Sequence, residues 1–174
     1  MRTVAQESAV YQLKLPSRTE NLEIIREFVA RIAQKAGFDE EDVAKIELAV
    51  DEACTNVVKH AYEGGSDKPI DVVVKLDYSK LTVIVTDQGK GFNPESVEVP
   101  DIKEYLAELR VGGLGIYLIR TLMDEVKYDI RPGVRNQVKM VKYFVGEGGE
   151  TRRSEEVFIG TTRKVSVPKN ESGS

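Results

Sequence analysis

The chain has 174 residues, of which 41% are hydrophobic and 31% charged, and its formal net charge is −4. This length and composition fit one globular domain with one substantial core, and no apolar run is long enough to span a membrane. The acidic balance argues against a nucleic-acid surface, because such a surface needs a basic face. With one cysteine, Cys54, and one histidine, internal disulfides and zinc sites built from those residues are excluded. No leader-like segment opens the sequence, so we expect a cytoplasmic protein without direct contact to membrane or nucleic acid.

The N-terminal part predicts a strand followed by a helix. Residues 8–15 alternate as a strand, and Pro16 is expected to end it. Ser17 is placed to cap the following helix, with a glutamate three residues later. That helix carries apolar residues at helical spacing, and Gly37 is expected to end it.

A second helix is the central element of the chain. Asp39 can cap its start, and glycines follow its end near Tyr62. Glu52 and Asn56 lie four residues apart, so they stack one turn from each other on one side of the helix. The apolar positions recur at three- and four-residue steps and predict one buried stripe, made of Ile46, Val50, Ala53, Cys54, Val57 and Val58.

The polar pair on this helix is the first candidate site. A carboxylate and an amide on an otherwise apolar helix face are costly unless something uses them. Asn56 offers a carbonyl oxygen to a hard cation, and Glu52 offers a base beside it. The alternative is that both are rim residues that cap a neighbouring loop. His60 continues the same row one turn later.

The remainder of the chain predicts two hairpins separated by a flap and a helix. The flap is rich in charges, carries two prolines and includes one short helical candidate at 102–109. In chain order, the predicted elements are a strand at 70–76, a strand at 81–86, the flap at 93–111, a helix opening at Gly115, and strands at 125–131 and 137–145.

This order of elements predicts an α/β (α+β) two-layer sandwich, in which helices cover one face of a mixed, largely antiparallel sheet. It differs from a Rossmann fold, where strand and helix alternate and the sheet is parallel. We expect one domain over residues 8–145, with a lid around 93–111. The tail at 146–174 has little apolar surface to bury and is expected to be mostly disordered.

A first glycine-rich loop, Asp87-Gln-Gly89-Lys-Gly91, directly follows a predicted strand. Glycines at this place let the backbone approach a ligand closely. The carboxylate of Asp87 can accept a hydrogen bond from an exocyclic amine in such a pocket. The alternative is ordinary turn chemistry, in which Asp87 makes an Asx-turn.

A second loop, Gly112-Gly113-Leu114-Gly115, opens a predicted helix. Its free amides and the positive end of that helix can hold phosphate. It is not a P-loop, because no Gly-Lys-Ser/Thr sequence follows it. The alternative is a plain glycine-rich turn. Arg110, just ahead of the loop, either reaches a phosphate or is a solvated charge of the lid.

Taken in this order, the motifs resemble the GHKL ATPase superfamily, which has the Bergerat or histidine kinase-like fold, and most closely its bacterial anti-sigma-factor serine kinases. Residues 47–62 are similar to the N-box of that family, 87–92 to its G1 box and 112–126 to its G2 box. The resemblance implies an anti-sigma factor with ATP-dependent serine/threonine kinase activity. Its partners would be a sigma factor and an anti-sigma-factor antagonist of the STAS fold, and the chain would form a homodimer.

The resemblance also implies a role for each candidate residue. Asn56 would ligate Mg²⁺ that bridges the ATP phosphates, and Glu52 would act as general base toward the attacking hydroxyl. Asp87 would bind the adenine amino group, and Gly89 and Gly91 would give the adenine pocket room. The other candidates would hold phosphates or hinge the lid, and they are Arg110, Gly112, Gly113, Leu114 and Gly115.

One segment departs from that family. The family usually has a threonine in its final strand, whereas this chain reads Arg135-Asn136-Gln137-Val138 at that place. Asn136 is therefore the candidate for a polar contact near the adenine. His60 lies inside the N-box helix and is expected to pack or to support the site, not to accept phosphate. Two other functions stay open, an ATP-binding regulatory module without phosphotransfer and, with less support, an Hsp90-like ATPase.

Overall fold

The computed structural model describes residues 8–62, 66–96, 101, 103 and 114–145. Its strands and helices are β1 Ala9–Ser17, α1 Leu22–Ala36, α2 Glu40–Asn56, β2 Ser66–Leu76, β3 Lys80–Asp87, α3 Gly115–Leu122, β4 Glu125–Arg131 and β5 Arg135–Tyr143. A π-helical turn over Val57–Ala61 extends α2, and 3-10 turns cover Thr19–Asn21 and Pro94–Ser96.

The strands form one sheet in the order β1-β2-β3-β5-β4. Each neighbouring pair in this sheet is antiparallel. The predicted two-layer sandwich with a largely antiparallel sheet is therefore confirmed. Because β3 is the central strand, its last residue, Asp87, lies inside the sheet, and it pairs there with Asn136 of β5.

The core lies between one face of the sheet and the three helices. Successive side chains leave a strand on opposite faces, so alternate residues of each strand point at the helices. α2 packs against both α1 and α3. The apolar stripe predicted for α2 and its extension is confirmed, since each member is buried: Ile46, Val50, Ala53, Cys54, Val57 and Val58. It packs in one cluster with residues from three strands, among them Val72, Val74, Val83, Val85 and Met140.

Two predicted helix boundaries are confirmed. Asp39 caps α2, since its Oδ1 accepts a hydrogen bond from the backbone N–H of Asp42 at 2.8 Å. Gly37 ends α1 with a φ of 96°, a left-handed conformation that glycine adopts without steric cost. Both ends therefore follow from side-chain chemistry that is visible in the sequence.

The predicted boundary at Pro16 and Ser17 is wrong. β1 runs through both residues, because it is an edge strand, where a missing backbone donor is tolerated. Ser17 is fully buried and pairs with Ser66 across an irregularity in the ladder, so it does not cap a helix. α1 begins only at Leu22, after the 3-10 turn.

Both predicted hairpins are confirmed, with shifted bounds. β2 begins at Ser66, four residues before its predicted start, and β5 ends at Tyr143, two residues before its predicted end. β5 begins at Arg135, two residues before the predicted start, and this shift brings Asn136 into the sheet. The predicted helix at 102–109 lies outside the described residues apart from residue 103. Most of the predicted lid and the whole predicted tail at 146–174 also lie outside them. The domain bounds 8–145 stay a prediction. None of the helices in the described part of the chain has the length and apolar content of a membrane span.

Candidate functional site

A cleft of about 470 Å³, partly open to solvent, lies between the end of α2 and strands β3, β4 and β5. Three predicted site residues line it, Asn56, Asp87 and Gly91. An apolar hollow with a few polar groups is the usual form of a small-molecule site. The apolar wall is made of Ala53, Val57, Val85, Phe92, Ile119, Tyr128, Ile130 and Val138.

Asp87 is the acidic group of this cleft, and it is mostly buried at the end of β3. Its Oδ1 accepts hydrogen bonds from the backbone N–H of Gly89 at 2.7 Å and from Nδ2 of Asn136 at 2.9 Å. The first of these is the Asx-turn that the sequence suggested as the alternative. Within the described residues, Oδ2 accepts no hydrogen bond. The turn therefore occupies one oxygen and leaves the other for a ligand.

The glycines of the loop after β3 are required by close packing. A Cβ on Gly89 would lie 2.5 Å from both Cβ and O of Ala61, and the backbone N–H of Lys90 donates to that same carbonyl at 3.3 Å. Gly91 has a φ of 70°, and a Cβ there would lie 2.8 Å from Oδ1 of Asn136. The loop is pressed between the end of α2 and β5, which explains the need for glycine at both positions.

Tyr62 holds the start of the same loop. Its hydroxyl accepts a hydrogen bond from the backbone N–H of Gln88 at 2.8 Å and donates to the carbonyl of Pro69 at 3.4 Å. Burial raises the pKa of this hydroxyl, and the hydrogen bond from Gln88 opposes that shift. The end of the central helix thus fixes the loop that carries Asp87.

The predicted polar pair meets the start of α3. A Cβ on Gly115 would lie 2.9 Å from Oε2 of Glu52 and 3.4 Å from both amide atoms of Asn56. The structure therefore brings Glu52, Asn56 and Gly115 together, with Asn56 facing the cleft and Glu52 beside it. Leu114, next to Gly115, is half-buried, and its carbonyl accepts the backbone N–H of Leu118 at 2.8 Å.

Glu52 has the electrostatic character of a base. Burial raises the pKa of its carboxyl, the neighbouring charge of Asp51 raises it further, and Lys59 opposes both effects. A carboxylate with a raised pKa accepts a proton more readily than an ordinary surface glutamate. Arg26 forms an ion pair with Asp51 at 3.1 Å, which links α1 to this side of α2.

The acidic and histidine residues of the described ranges form no cluster of three or more that could hold a metal ion. A cation at Asn56 would therefore need ligands from elsewhere. Mg²⁺ fits this requirement, because it takes few protein oxygens and keeps waters and substrate phosphates as its other ligands. The amide of Asn56, placed at the cleft beside the start of α3, is a suitable single ligand.

Not every predicted site residue is placed. Arg110, Gly112 and Gly113 lie outside the described residues. His60 is exposed and lines the rim of the cleft, so it does not pack in the core, and its supporting role stays a prediction.

The sequence analysis missed Tyr128 of β4. Its hydroxyl is buried and has no hydrogen-bond partner in the described part of the chain, and burial raises its pKa. Its ring contacts Phe92 edge-on at 5.8 Å and lies 6.0 Å from the guanidinium of Arg120. The alternation of Val126, Tyr128 and Ile130 could have indicated that this side of β4 faces inward.

The chain is similar to known proteins over most of its length. The histidine kinase-like ATPase domain family matches residues 15–142. Serine-protein kinase RsbW from Bacillus velezensis is 37% identical over 141 residues, which cover 78% of this chain and 86% of that protein. Serine-protein kinase RsbW from Listeria monocytogenes is 40% identical over 135 residues, covering 75% of this chain and 85% of that protein. The chain therefore belongs to the histidine kinase-like ATPase family.

The relatives narrow the class further. They are serine-protein kinases, and they confirm the predicted enzyme class, a serine/threonine-protein kinase that uses ATP. A solved structure, the SiaB-SiaC complex from Pseudomonas aeruginosa, superposes with a TM-score of 0.58 at 12% identity, covering 75% of this chain and 88% of that chain. At this identity the likeness concerns the fold alone, and it confirms the predicted histidine kinase-like fold.

Proposed function

We propose that this chain is an anti-sigma factor that transfers phosphate from ATP to a serine or threonine of an antagonist protein of the STAS fold. The observation that carries the proposal is that Asp87 and Asn56 line one cleft and that Glu52 lies beside Asn56 at its edge. In a phosphotransfer reaction, Asp87 is suited to bind the adenine of ATP, Asn56 to hold a cation at the phosphates, and Glu52 to act on the attacking hydroxyl. Relatives that are serine-protein kinases support the nature of the acceptor.

The adenine would occupy the apolar part of the cleft. Its exocyclic amino group would donate to Oδ2 of Asp87, which has no partner in the described residues. The ring would pack against apolar side chains from α2, β3 and β4, such as Val57, Val85 and Ile130. A purine buried between apolar walls, with one hydrogen bond at its edge, gains both affinity and orientation.

The phosphates would extend toward the start of α3. Asn56 would hold Mg²⁺ there, and the ion would supply charge neutralisation to the phosphates. Backbone amides at the start of α3, including those of Leu114 and Gly115, point along the helix axis and can bind phosphate oxygens. We assign Arg110, Gly112 and Gly113 the same task from the lid.

Glu52 would then act on the acceptor protein. The hydroxyl oxygen of its serine attacks the γ-phosphorus, and the bond between that phosphorus and the oxygen shared with the β-phosphate breaks. ADP leaves, and the carboxylate of Glu52 takes the proton of the hydroxyl. The neighbouring position of Glu52 and Asn56 supports this role, because a general base there would lie beside the phosphates and outside the nucleotide cleft.

We further propose that the chain works in the cytoplasm as a homodimer that also sequesters a sigma factor. The resemblance to anti-sigma-factor kinases supports these assignments. Sequestration of the sigma factor would be exclusive with binding of the unphosphorylated antagonist, so that phosphotransfer decides which partner the chain holds.

Calorimetry of ATP binding tests the site. Wild-type protein should bind ATP in the presence of Mg²⁺ and more weakly without it. Asn56→Ala should lose about tenfold in affinity, as expected for one interaction of about 1.5 kcal/mol with a charged group, and its residual binding should no longer depend on Mg²⁺.

The control is Asn21→Ala, because Nδ2 of Asn21 donates to the carbonyl of Pro16 and lies outside the cleft. That variant should bind ATP as the wild type does. A wild-type protein that binds no ATP with or without Mg²⁺ contradicts the proposal. Binding without transfer to any STAS-domain protein would favour the regulatory module.

A further inference from the structure

The buried amide of Asn136 is tied to the acidic group of the cleft. Asn136 is the second residue of β5 and pairs directly with Asp87 at the end of β3. The residue is 3% exposed. Nδ2 donates one hydrogen bond to Oδ1 of Asp87 at 2.9 Å and another to the carbonyl of Gly89 at 2.9 Å. Both hydrogens of the amide nitrogen are therefore used.

These two bonds determine which way the amide faces. Turning it over would place Oδ1 of Asn136 against two acceptors, the carboxylate of Asp87 and the carbonyl of Gly89. Oδ1 instead lies toward Gly91, where a Cβ would be 2.8 Å away, and it has no hydrogen-bond partner within the described residues. An unpaired buried acceptor is costly. An apolar side chain would fill the space without that cost, so the donor side of the amide accounts for its presence.

The consequence for Asp87 is a fixed carboxylate. Its Oδ1 is occupied by Asn136 and by the backbone N–H of Gly89. Rotation of the carboxylate would break both bonds, so Oδ2 is the oxygen held toward the cleft. A lone acceptor at this point favours a hydrogen-bond donor on the ligand and disfavours another acceptor, since two facing acceptors remain unpaired and repel.

We propose that Asn136 is the positioning residue that sets the base selectivity of this cleft. By fixing Asp87, it makes the cleft accept a purine with an amino group at position 6 over one with a carbonyl oxygen there. The inference rests on the proposed function, namely that this cleft binds a purine nucleotide. Asn136 acts through Asp87 and is not assigned a contact with the base.

The test compares ATP with ITP by calorimetry at fixed Mg²⁺. ITP has a carbonyl oxygen in place of the amino group at position 6, and its N1 carries a hydrogen. Wild-type protein should prefer ATP. Asn136→Leu, an apolar replacement of similar size, should lower the ratio of the two affinities about tenfold, mainly by weakening ATP binding. Asn136→Thr restores one donor beside Asp87 and should recover part of the ratio.

Thr86→Val is the matched control. Thr86 precedes Asp87 on β3, and its Oγ1 accepts a hydrogen bond from Nε2 of Gln137 at 3.1 Å. This variant removes one hydrogen bond between the same two strands and keeps both hydrogen bonds to Oδ1 of Asp87. Gln137 also lines the cleft, so both affinities can change together, but the ratio of ATP to ITP affinity should equal that of the wild type.

An unchanged ratio in Asn136→Leu, or equal affinities of the wild type for ATP and ITP, overturns the inference and leaves ATP binding in place. A wild type that binds neither nucleotide contradicts the proposed function instead. Circular dichroism checks that each variant is folded. If Asn136→Leu does not fold, the ratio of ATP to ITP affinity is measured for Asn136→Ala, and an unchanged ratio again overturns the inference.

Discussion

Glu52 combines partial burial with a neighbouring acidic residue, and both raise the pKa of its carboxyl. Glu52→Gln keeps the size of the side chain and removes its ability to take a proton. We expect phosphotransfer to a purified STAS-domain protein to fall by about 100-fold or more, because a positioned general base contributes at least that much. ATP affinity should stay close to that of the wild type. Single-turnover phosphorylation assays and calorimetry measure the two quantities separately.

The pH dependence of Glu52 gives a second readout. Only the ionised carboxylate can accept a proton, so the rate should rise with pH through a pKa above the usual range for glutamate. The native carboxyl also keeps its proton at pH values where the unfolded chain has lost it. The free energy of unfolding therefore falls as pH rises between the usual and the raised pKa. In Glu52→Gln, neither the rate nor the free energy of unfolding should show this pH dependence. A Glu52→Gln variant that transfers phosphate at the wild-type rate would contradict the assignment of Glu52 as general base.

At the scale of the elements, the contact between α2 and α3 depends on one glycine. A Cβ on Gly115 would lie 2.9 Å from Oε2 of Glu52, which is the end of a flexible side chain. Gly115→Ala should therefore leave the fold intact and displace the carboxylate. Small displacements of a catalytic group are costly, and we expect phosphotransfer to fall about tenfold or more. The rate is measured per folded molecule, with thermal melting as the check on stability.

Gly37→Ala is the control for Gly115→Ala, because we expect it to lower stability and leave the activity unchanged. Gly37 ends α1 with a φ of 96°, and it is absent from the residues that line the cleft. A side chain in this left-handed conformation costs about 1–2 kcal/mol, so this variant should melt earlier and keep its activity per folded molecule. If both variants lose activity in proportion to stability, Gly115 has no specific role beside Glu52.

The bounds of the elements show what sequence patterns can predict. Apolar spacing predicted α2 and its buried stripe, and local chemistry predicted the ends at Gly37 and Asp39. The π-helical turn at Val57–Ala61 was not predicted, because a wider turn leaves the spacing of a few apolar residues almost unchanged. The end of β1 was misplaced because the effect of Pro16 depends on whether its strand lies at an edge, which only the assembled sheet decides.

At the scale of the whole molecule, one buried ammonium group joins three elements. Nζ of Lys142 on β5 donates to the carbonyl of Leu122, the last residue of α3, at 3.0 Å. It also lies 3.7 Å from Oδ1 of Asp42 in the first turn of α2, and 3.5 Å from Oδ1 of Asp124. The far ends of both helices that form the site are thereby attached to the sheet.

Lys142→Met should lower the free energy of unfolding by about 2 kcal/mol, because it leaves buried or half-buried acceptors without their donor. Urea denaturation measures this change. The control is Lys45→Met, since Lys45 pairs with Glu41 and Asp42 at the surface. Exposed pairs contribute about 0–1 kcal/mol, so this variant should change stability much less. Equal effects of the two substitutions would show that Lys142 is not a special attachment point.

The architecture of the site followed from the sequence because each motif sits at the end of a regular element. The end of β3 and the end of α2 lie close together once the helices cover one face of the sheet. The hydrogen bonds of Asn136 could not be predicted in this way. They depend on the register between β3 and β5, and a shift of one residue would turn Asn136 to the other face. Tyr128 was missed for a different reason, because the alternation along β4 was not used to find the side that faces inward.

The buried stripe of α2 contains the only cysteine of the chain, Cys54, which is fully buried, and burial raises the pKa of its thiol. In the native state this thiol is out of reach of a solution reagent, so covalent labelling requires that α2 first separate from the sheet. The labelling rate of unmodified protein therefore measures how often the layer beneath the nucleotide cleft opens, without any engineered probe. A ligand that bridges α2, α3 and β3 should slow this reaction.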